Sequence, residues 1–287
     1  MKELSDRGYK NLLLKHHKEL DLRNSEDVEY YFKKHKPNIV IMAAAHAGGI
    51  KEAIDNPAWM LMDNLEITTS IIRSAFLINV EKLIFLSSSC VYPVKGRQPY
   101  KEESYGSGRT DENWAYAIAK IAGTELCRSF HKQYDCNYIT VVPCNLYGPH
   151  DNFHPKKSHV VPSLIRKISE SDNVILWGNG YPRRELLYAP DLASAIVDIM
   201  EKVNYEDIDG IVNVGVGEDM QIFQIARKIA HVLKPDRKVT FTFDSHQPNG
   251  VDSKLLDSTR MNNLGWQPKH TFEEGIKETY EWWKSQA

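Results

Sequence analysis

Short apolar runs of strand length alternate along this chain with longer stretches in which apolar positions recur at helical spacing. A strand buried on both faces reads as a continuous apolar run, and an amphipathic helix as a 3.6-residue repeat. Their regular alternation predicts an α/β fold with a doubly wound parallel sheet and helices on both faces. Strands are expected near 11–14, 38–42, 82–86, 138–142, 174–177, 186–188, 211–214 and 239–243, and helices near 25–34, 57–76, 114–134, 161–169, 191–202, 221–233 and 271–283. Asn24 or Ser25 caps the first helix, with Glu26 and Asp27 suited to its positive end. The alternation is regular up to about Val142, after which Gly, Pro and Asn crowd the stretch 145–184. Two lobes follow: a first over 1–145, completed by about 186–216, and a smaller second lobe over the rest of 146–287.

Composition narrows the partners. A formal charge of −2 with no Lys/Arg stripe argues against nucleic acid, and the basic clusters at Lys33–Lys36 and Lys156–Lys157 read as solvated surface. The longest apolar run, Ile39–Ala45, is far short of the ~20 residues of a membrane span. The opening stretch MKELSDRGYK lacks the apolar segment of a signal peptide. Four cysteines without a CxxC pair suggest a reduced, cytoplasmic protein. His150 and His154 stand four apart, but Pro155 breaks any helix that would set them on one face, and His159 follows five residues on, so no metal is expected.

The chemistry concentrates in two strings. SSSCVY (Ser87–Tyr92) follows the strand at 82–86, and Tyr116, 28 residues after Ser88, opens the helical string YAIAK that ends at Lys120. Tyr-x-x-x-Lys alone says little, since Tyr30/Lys34 and Tyr280/Lys284 repeat it. Only the middle copy has a Ser-rich strand end upstream. Residues i and i+4 share a helix face, so Lys120 can sit over Tyr116 and lower its pKa, giving an acid/base usable near neutral pH. Ser88, at a strand's C-terminal end where doubly wound sheets bind ligands, could bond the same substrate oxygen. Cys90, two residues on, would share Ser88's face in strand geometry; it is either a proton-exchanging thiol or a small buried hydrophobe. His159, between a Pro-containing loop and an apolar helix, is a candidate imidazole acid/base.

The strings AAAHAGGI (Ala43–Ile50), SSCVYP (Ser88–Pro93), YAIAKIAG (Tyr116–Gly123), NLYGPHDNFHP (Asn145–Pro155), SHVVP (Ser158–Pro162) and WGNGYPRRELLY (Trp177–Tyr188) carry a resemblance. From about Arg7 to Trp283 the chain resembles the GDP-L-fucose synthase family of the extended short-chain dehydrogenases/reductases, which implies a Rossmann-type fold. The resemblance implies NADPH as cofactor and a GDP-sugar as substrate. The family epimerises C3 and C5 of GDP-4-keto-6-deoxy-mannose and then reduces its C4 ketone. By motif, Cys90 and His159 would be the epimerisation pair, and Tyr116 would protonate O4, assisted by Lys120 and Ser88. Lys15, His17, Asp21, Leu22, Ala44, Ala45, Lys120, Pro143, Asn145, Leu146 and His159 would border the cofactor, while Lys167, Trp177 and Arg184 would contact the GDP-sugar. Lys167 stands where the family has an arginine, a point charge in place of a bidentate fork. Related reductases pair two long helices with a symmetry mate, so a homodimer through 57–76 and 114–134 is expected.

Cofactor choice has a second argument. An acidic residue at the second strand's end would favour NAD; here the strand expected at 11–14 runs into Lys15, His16 and His17, which suit a 2′-phosphate. One departure is large: the sequence contains no G-x-x-G-x-x-G, and Met1 falls where the family is already inside its first helix. Gly48-Gly49 belongs to a later strand end. The missing first strand would lie between 11–14 and 82–86, leaving buried unpaired backbone groups at about 1–3 kcal/mol each. The expectation is a native start upstream, or a chain that is unstable and cofactor-free. Other readings are a nucleotide-sugar 4-epimerase, which gives Cys90 no task, and a cofactor-free GDP-sugar-binding remnant. A 4,6-dehydratase is disfavoured because Thr110-Asp111-Glu112 precedes the tyrosine helix instead of following the Ser88 strand.

Overall fold

The computed structural model of the chain describes residues 1–48, 50–108, 114–155, 157–247 and 249–286. The first part of the chain runs α1 (Lys2–Asp6), α2 (Ser25–His35), β1 (Ile39–Met42), α3 (Ile50–Asp55), α4 (Pro57–Leu77), β2 (Lys82–Leu86), α5 (Trp114–Tyr134), β3 (Tyr138–Pro143) and β4 (Asn145–Tyr147). It continues through α6 (Val160–Glu170), β5 (Asn173–Trp177), β6 (Arg183–Arg184), β7 (Leu186–Tyr188), α7 (Ala189–Lys202), β8 (Ile211–Val214) and β9 (Met220–Gln221). It ends with α8 (Ile222–Leu233), β10 (Thr240–Asp244), α9 (Thr259–Asn263) and α10 (Phe272–Ser285).

Strands β1, β2, β3 and β8 form one parallel sheet in that order. Registers run Ile39↔Lys82 to Met42↔Phe85, Leu83↔Tyr138 to Leu86↔Val141, and Thr140↔Ile211 to Pro143↔Val214. β3 is buried at every position, as its unbroken apolar run predicts for a strand covered on both faces. α4 and α5 pack together on one side. Gly123 lets α5 settle on the sheet, since a Cβ there would stand 2.4 Å from the Phe85 ring. α7 lies against β2, where the Lys82 ammonium donates to Met200 O at 2.7 Å. Arg7 holds the α1 end of the chain to α7 by bonds of 2.9 Å to both Asp198 and Glu201.

A second core lies beyond β3. There α6, α8 and α10 bury Leu164, Ile165, Ile168, Ile225, Ile229 and Ile276 with Val174 and Leu176 of β5. Around it sit the parallel pairs β5–β10 and β4–β7 and the antiparallel bridge β6–β9. β7 therefore leaves the large sheet to β8, and α7 carries the chain from one layer to the other.

Two expectations need correction. Residues 11–14 form no strand. The run Leu12–Leu14 is apolar enough, but a strand persists only beside a neighbour that takes its backbone bonds. Nor does a gap separate 11–14 from 82–86, because β1 pairs with β2 along its whole length. The sheet's open edges are the outer sides of β1 and β8, which have no strand partner among the described residues. Gly49 and Thr110-Asp111-Glu112 lie outside the described residues. Among those residues no helix is long and apolar enough to cross a membrane.

Candidate active site

β2 ends at Leu86 and the chain turns at once. Ser88 is not followed by more strand, as the shared-face argument for Cys90 assumed: Ser89–Val91 is a 3₁₀ turn, and Ser88 Oγ accepts the Cys90 N–H at 3.4 Å. A serine hydroxyl closing a local turn is a common competitor of the strand ladder. The turn still brings both side chains to one cavity. Behind them Ser87 Oγ lies 2.8 Å from the Tyr105 hydroxyl, which donates to Lys120 O at 3.0 Å. Tyr105 thus ties the strand end to the middle of α5.

On α5, Tyr116 and Lys120 lie one turn apart. Lys120 donates to Leu86 O at 2.8 Å, and its ammonium stands 5.4 Å from the centre of the Tyr116 ring. Burial pulls the Lys120 amine down to about 8. Burial also raises the Tyr116 phenol, with Cys90 adding to the rise. The expected lowering of Tyr116 by Lys120 is therefore reversed: desolvation of the phenolate outweighs the nearby cation. At neutral pH Tyr116 is a proton donor.

β3 delivers Pro143 to the same edge, and the chain turns through Cys144 into β4 with Asn145 and Leu146. The loop 148–158 then leads to His159, the N-cap of α6. About two turns along α6, Lys167 donates to Ile175 O at 2.9 Å, and burial lowers its amine. Arg184 donates to Arg183 O and Val251 O, both at 2.7 Å. Next to it Glu185 is fully buried. Its carboxylate accepts the N–H groups of Val216 (2.7 Å), Gly217 (2.8 Å) and Leu256 (2.9 Å). Gly215 is required here, because a Cβ would fall 2.2 Å from Glu185 Oε1.

These elements enclose a cavity of about 770 Å³. Ser88, Cys90, Tyr116, Pro143, Asn145, Leu146, His159, Lys167, Trp177 and Arg184 all line it, while Lys120 is buried behind Tyr116 and does not line it. Six expected cofactor contacts do not reach it: Lys15, His17, Asp21, Leu22, Ala44 and Ala45. Lys15 is paired with Glu19 at 2.7 Å, and Asp21 with Arg23 at 2.7 Å, which holds the Asp21 carboxyl at about 2. Ala47 and Gly48, not Ala44 and Ala45, stand at the wall, because the chain leaves β1 before it reaches the cavity.

The sequence reading missed several wall residues. Asp151 lines the cavity, its carboxyl raised by burial while the Asn152 N–H and His159 pull it the other way. Lys254 and the Asn249-Gly250 pair line the far wall on a strap held to Gln98, which accepts from Leu255 N at 2.9 Å. The only local signal was the Asn-Gly turn dipeptide.

Over residues 2–215 the sequence matches the model of the NAD dependent epimerase/dehydratase family. The chain belongs to that family. Within the family it is 40% identical to GDP-L-fucose synthase 1 of Arabidopsis thaliana, over 99% of this chain and 88% of the relative. It is also 40% identical to GDP-L-fucose synthase of Escherichia coli (strain K12), over 98% of this chain and 91% of the relative. A GDP-L-fucose synthetase from Naegleria fowleri, solved bound to NADP, superposes with a TM-score of 0.88 at 27% identity, covering 99% of this chain and 89% of that one. A dinucleotide's reactive end fits the family member described here: Ser88, Tyr116 and Pro143–Leu146 give polar and apolar walls at the strand ends. Its pyrophosphate end finds no glycine-rich loop in the sequence.

Proposed function

We propose that this enzyme epimerises C3 and C5 of GDP-4-keto-6-deoxy-D-mannose and reduces its C4 ketone with NADPH to GDP-L-fucose. The observation that carries the reading is one cavity lined by a thiol, an imidazole and a protonated phenol, Cys90, His159 and Tyr116. The ketone acidifies the hydrogens on both neighbouring carbons. One group takes the proton, the electron pair moves onto O4, and the other group returns a proton to the opposite face. We assign Cys90 and His159 to those exchanges. NADPH supplies the hydride that reaches C4. Tyr116 gives its proton to O4 and Ser88 hydrogen-bonds the same oxygen, while Lys120 fixes Tyr116 and approaches the cofactor. Lys167, Trp177 and Arg184 would hold the GDP-sugar, and Pro143, Asn145 and Leu146 would hold the nicotinamide end of the cofactor, which supplies the hydride when bound.

We also read the chain as a cofactor lobe of 1–145 completed by 186–216, with a substrate lobe in the remainder. The compartment is the cytoplasm. The partner is a second copy: Trp59 and Met62 on α4 and Trp114 and Ile118 on α5 are exposed apolar side chains, 62%, 48%, 47% and 45% accessible, on the two helices expected to pair. Light scattering at micromolar concentration is expected to give a dimer mass, and a monomer mass would end that part of the reading.

The test of function is the fate of the ring protons. With the keto sugar in deuterated water, Cys90→Ser should slow deuterium entry at C3 or C5 and leave some reduction, yielding a GDP-6-deoxy sugar of the wrong configuration. Deuterium entry at both carbons at the wild-type rate would remove Cys90 from the mechanism.

A further inference from the structure

The loop before α6 brings His159 to the cavity, yet among its described residues the backbone bonds are short-range. Asp151 N–H reaches Gly148 O (3.3 Å), His154 N–H reaches Asn152 Oδ1 (2.9 Å), and Ser158 N–H reaches His154 O (3.1 Å). Such bonds shape turns without fixing where the loop stands against the sheet. Two aromatic contacts do that. Phe153 stacks on Trp283 with centroids 5.0 Å apart and planes 10° from parallel. His150, at φ 69°, lies 4.7 Å from Trp282. Both tryptophans sit on the last turns of α10.

That helix is itself held firmly. Tyr147 donates to Phe272 O at 3.3 Å, Tyr188 donates to Glu278 at 2.7 Å, and Ile276 is fully buried. On the loop's other flank Lys157 pairs with Glu52 at 3.6 Å, the lysine 62% and the glutamate 19% accessible, and a long pair with a solvated lysine contributes little. The loop therefore takes its position from α10.

We infer that Trp282 and Trp283 are positioning residues that set the place of the His159 imidazole through His150 and Phe153. The inference rests on the reading of His159 as one of the two proton-exchanging groups. It predicts a step-selective defect, because Tyr116 and Ser88 hang from β2 and α5 and feel nothing of α10. A displacement of about 1 Å can cost as much as 100-fold in a proton-transfer geometry.

The experiment follows ring deuteration of the keto sugar in deuterated water with NADP⁺ present, and in parallel NADPH-driven reduction of the unepimerised ketone. Phe153→Ala and Trp283→Ala should each lower exchange at one carbon at least about 10-fold and leave reduction within about twofold. Trp283→Phe, which keeps the stack, should restore exchange. The double variant should be no worse than either single one, as expected for one shared contact. Should Trp283→Ala fail to fold, Phe153→Ala leaves α10 intact and carries the test alone. Wild-type exchange in folded Phe153→Ala, with exchange lost in His159→Asn, overturns the inference and leaves the function standing. Wild-type exchange in His159→Asn overturns the role of His159 and the inference with it.

Discussion

The two ends of the sheet's C-terminal edge behave differently. At the β2–β3 end, Ser88, Cys90, Tyr116 and Pro143 leave separate elements and meet at one cavity. At the β1 end, Lys15, His17, Asp21 and Leu22 stay outside it, and the charges of Lys15 and Asp21 are spent on Glu19 and Arg23. Pairing separates the two. β2 and β3 each have a strand on both sides, so the loops that follow them start from fixed points. β1 is paired on one side, and the segment before α2 on neither. A residue type at the right spacing becomes a site only when the backbone that carries it is held.

The sharpest way to break this contrast is at its well-ordered end. Tyr116→Phe should cut NADPH consumption with the keto sugar by ~10²–10⁴-fold, the range of a lost general acid, while ring deuteration continues. Equal loss of both would mean that Tyr116 serves packing.

A smaller effect concerns Lys120, whose amine sits at about 8 in the fold against 10.5 ordinarily. Between those values the unfolded chain binds more protons, so stability should rise with pH, by up to about 1.4 kcal/mol per unit. The buried thiols Cys127 and Cys144, which burial raises, oppose this from about pH 8.5 upward, and the raised phenols, Tyr116 among them, from about pH 10. The thiols and phenols are common to both chains, so the difference in urea midpoint between the parent and Lys120→Met should grow in the parent's favour from about pH 8 to 10. Parallel lines would contradict the burial argument.

The smallest change is expected at the other end of the edge. Replacing Lys15 and His17 together by alanine should shift the KM for NADPH by less than about twofold. A tenfold rise for NADPH, with NADH unaffected, would show that this segment reaches the cofactor's 2′-phosphate after all.

Much of the frame was legible because burial is written locally. The strands 82–86, 186–188 and 211–214 and the helix 114–134 occupy the predicted residues, each a run whose apolar pattern matches its cover. Asn24 caps α2 as its side chain predicts, accepting from Glu26 and Asp27. The strand expected at 11–14 failed because its partner is not encoded in the run itself. Ser88, Tyr116 and Lys120 could be found by spacing, but not the burial that moves Tyr116 and Lys120 toward their neutral forms. Cys90 reached the cavity through a turn instead of the strand geometry expected for it. Asp151 and Lys254 were invisible for another reason. Their loops are placed by distant contacts, such as Arg184 to Val251 and Gln98 to Leu255, that no short window contains.

Glu185 has a mechanical consequence. One carboxylate grips Val216, Gly217 and Leu256 together, and hydrogen bonds to a charged group are worth about 1.5–3 kcal/mol each. The wall between β8 and the strap is in effect stitched shut, and a hinge there would have to tear three such stitches at once. The loop before α6 is held differently, by ring contacts of His150 and Phe153 with α10 and by the Lys157–Glu52 pair with α3. Ring contacts slide where carboxylate bonds must break, so a wall of this kind and a stitched one answer differently to the same push.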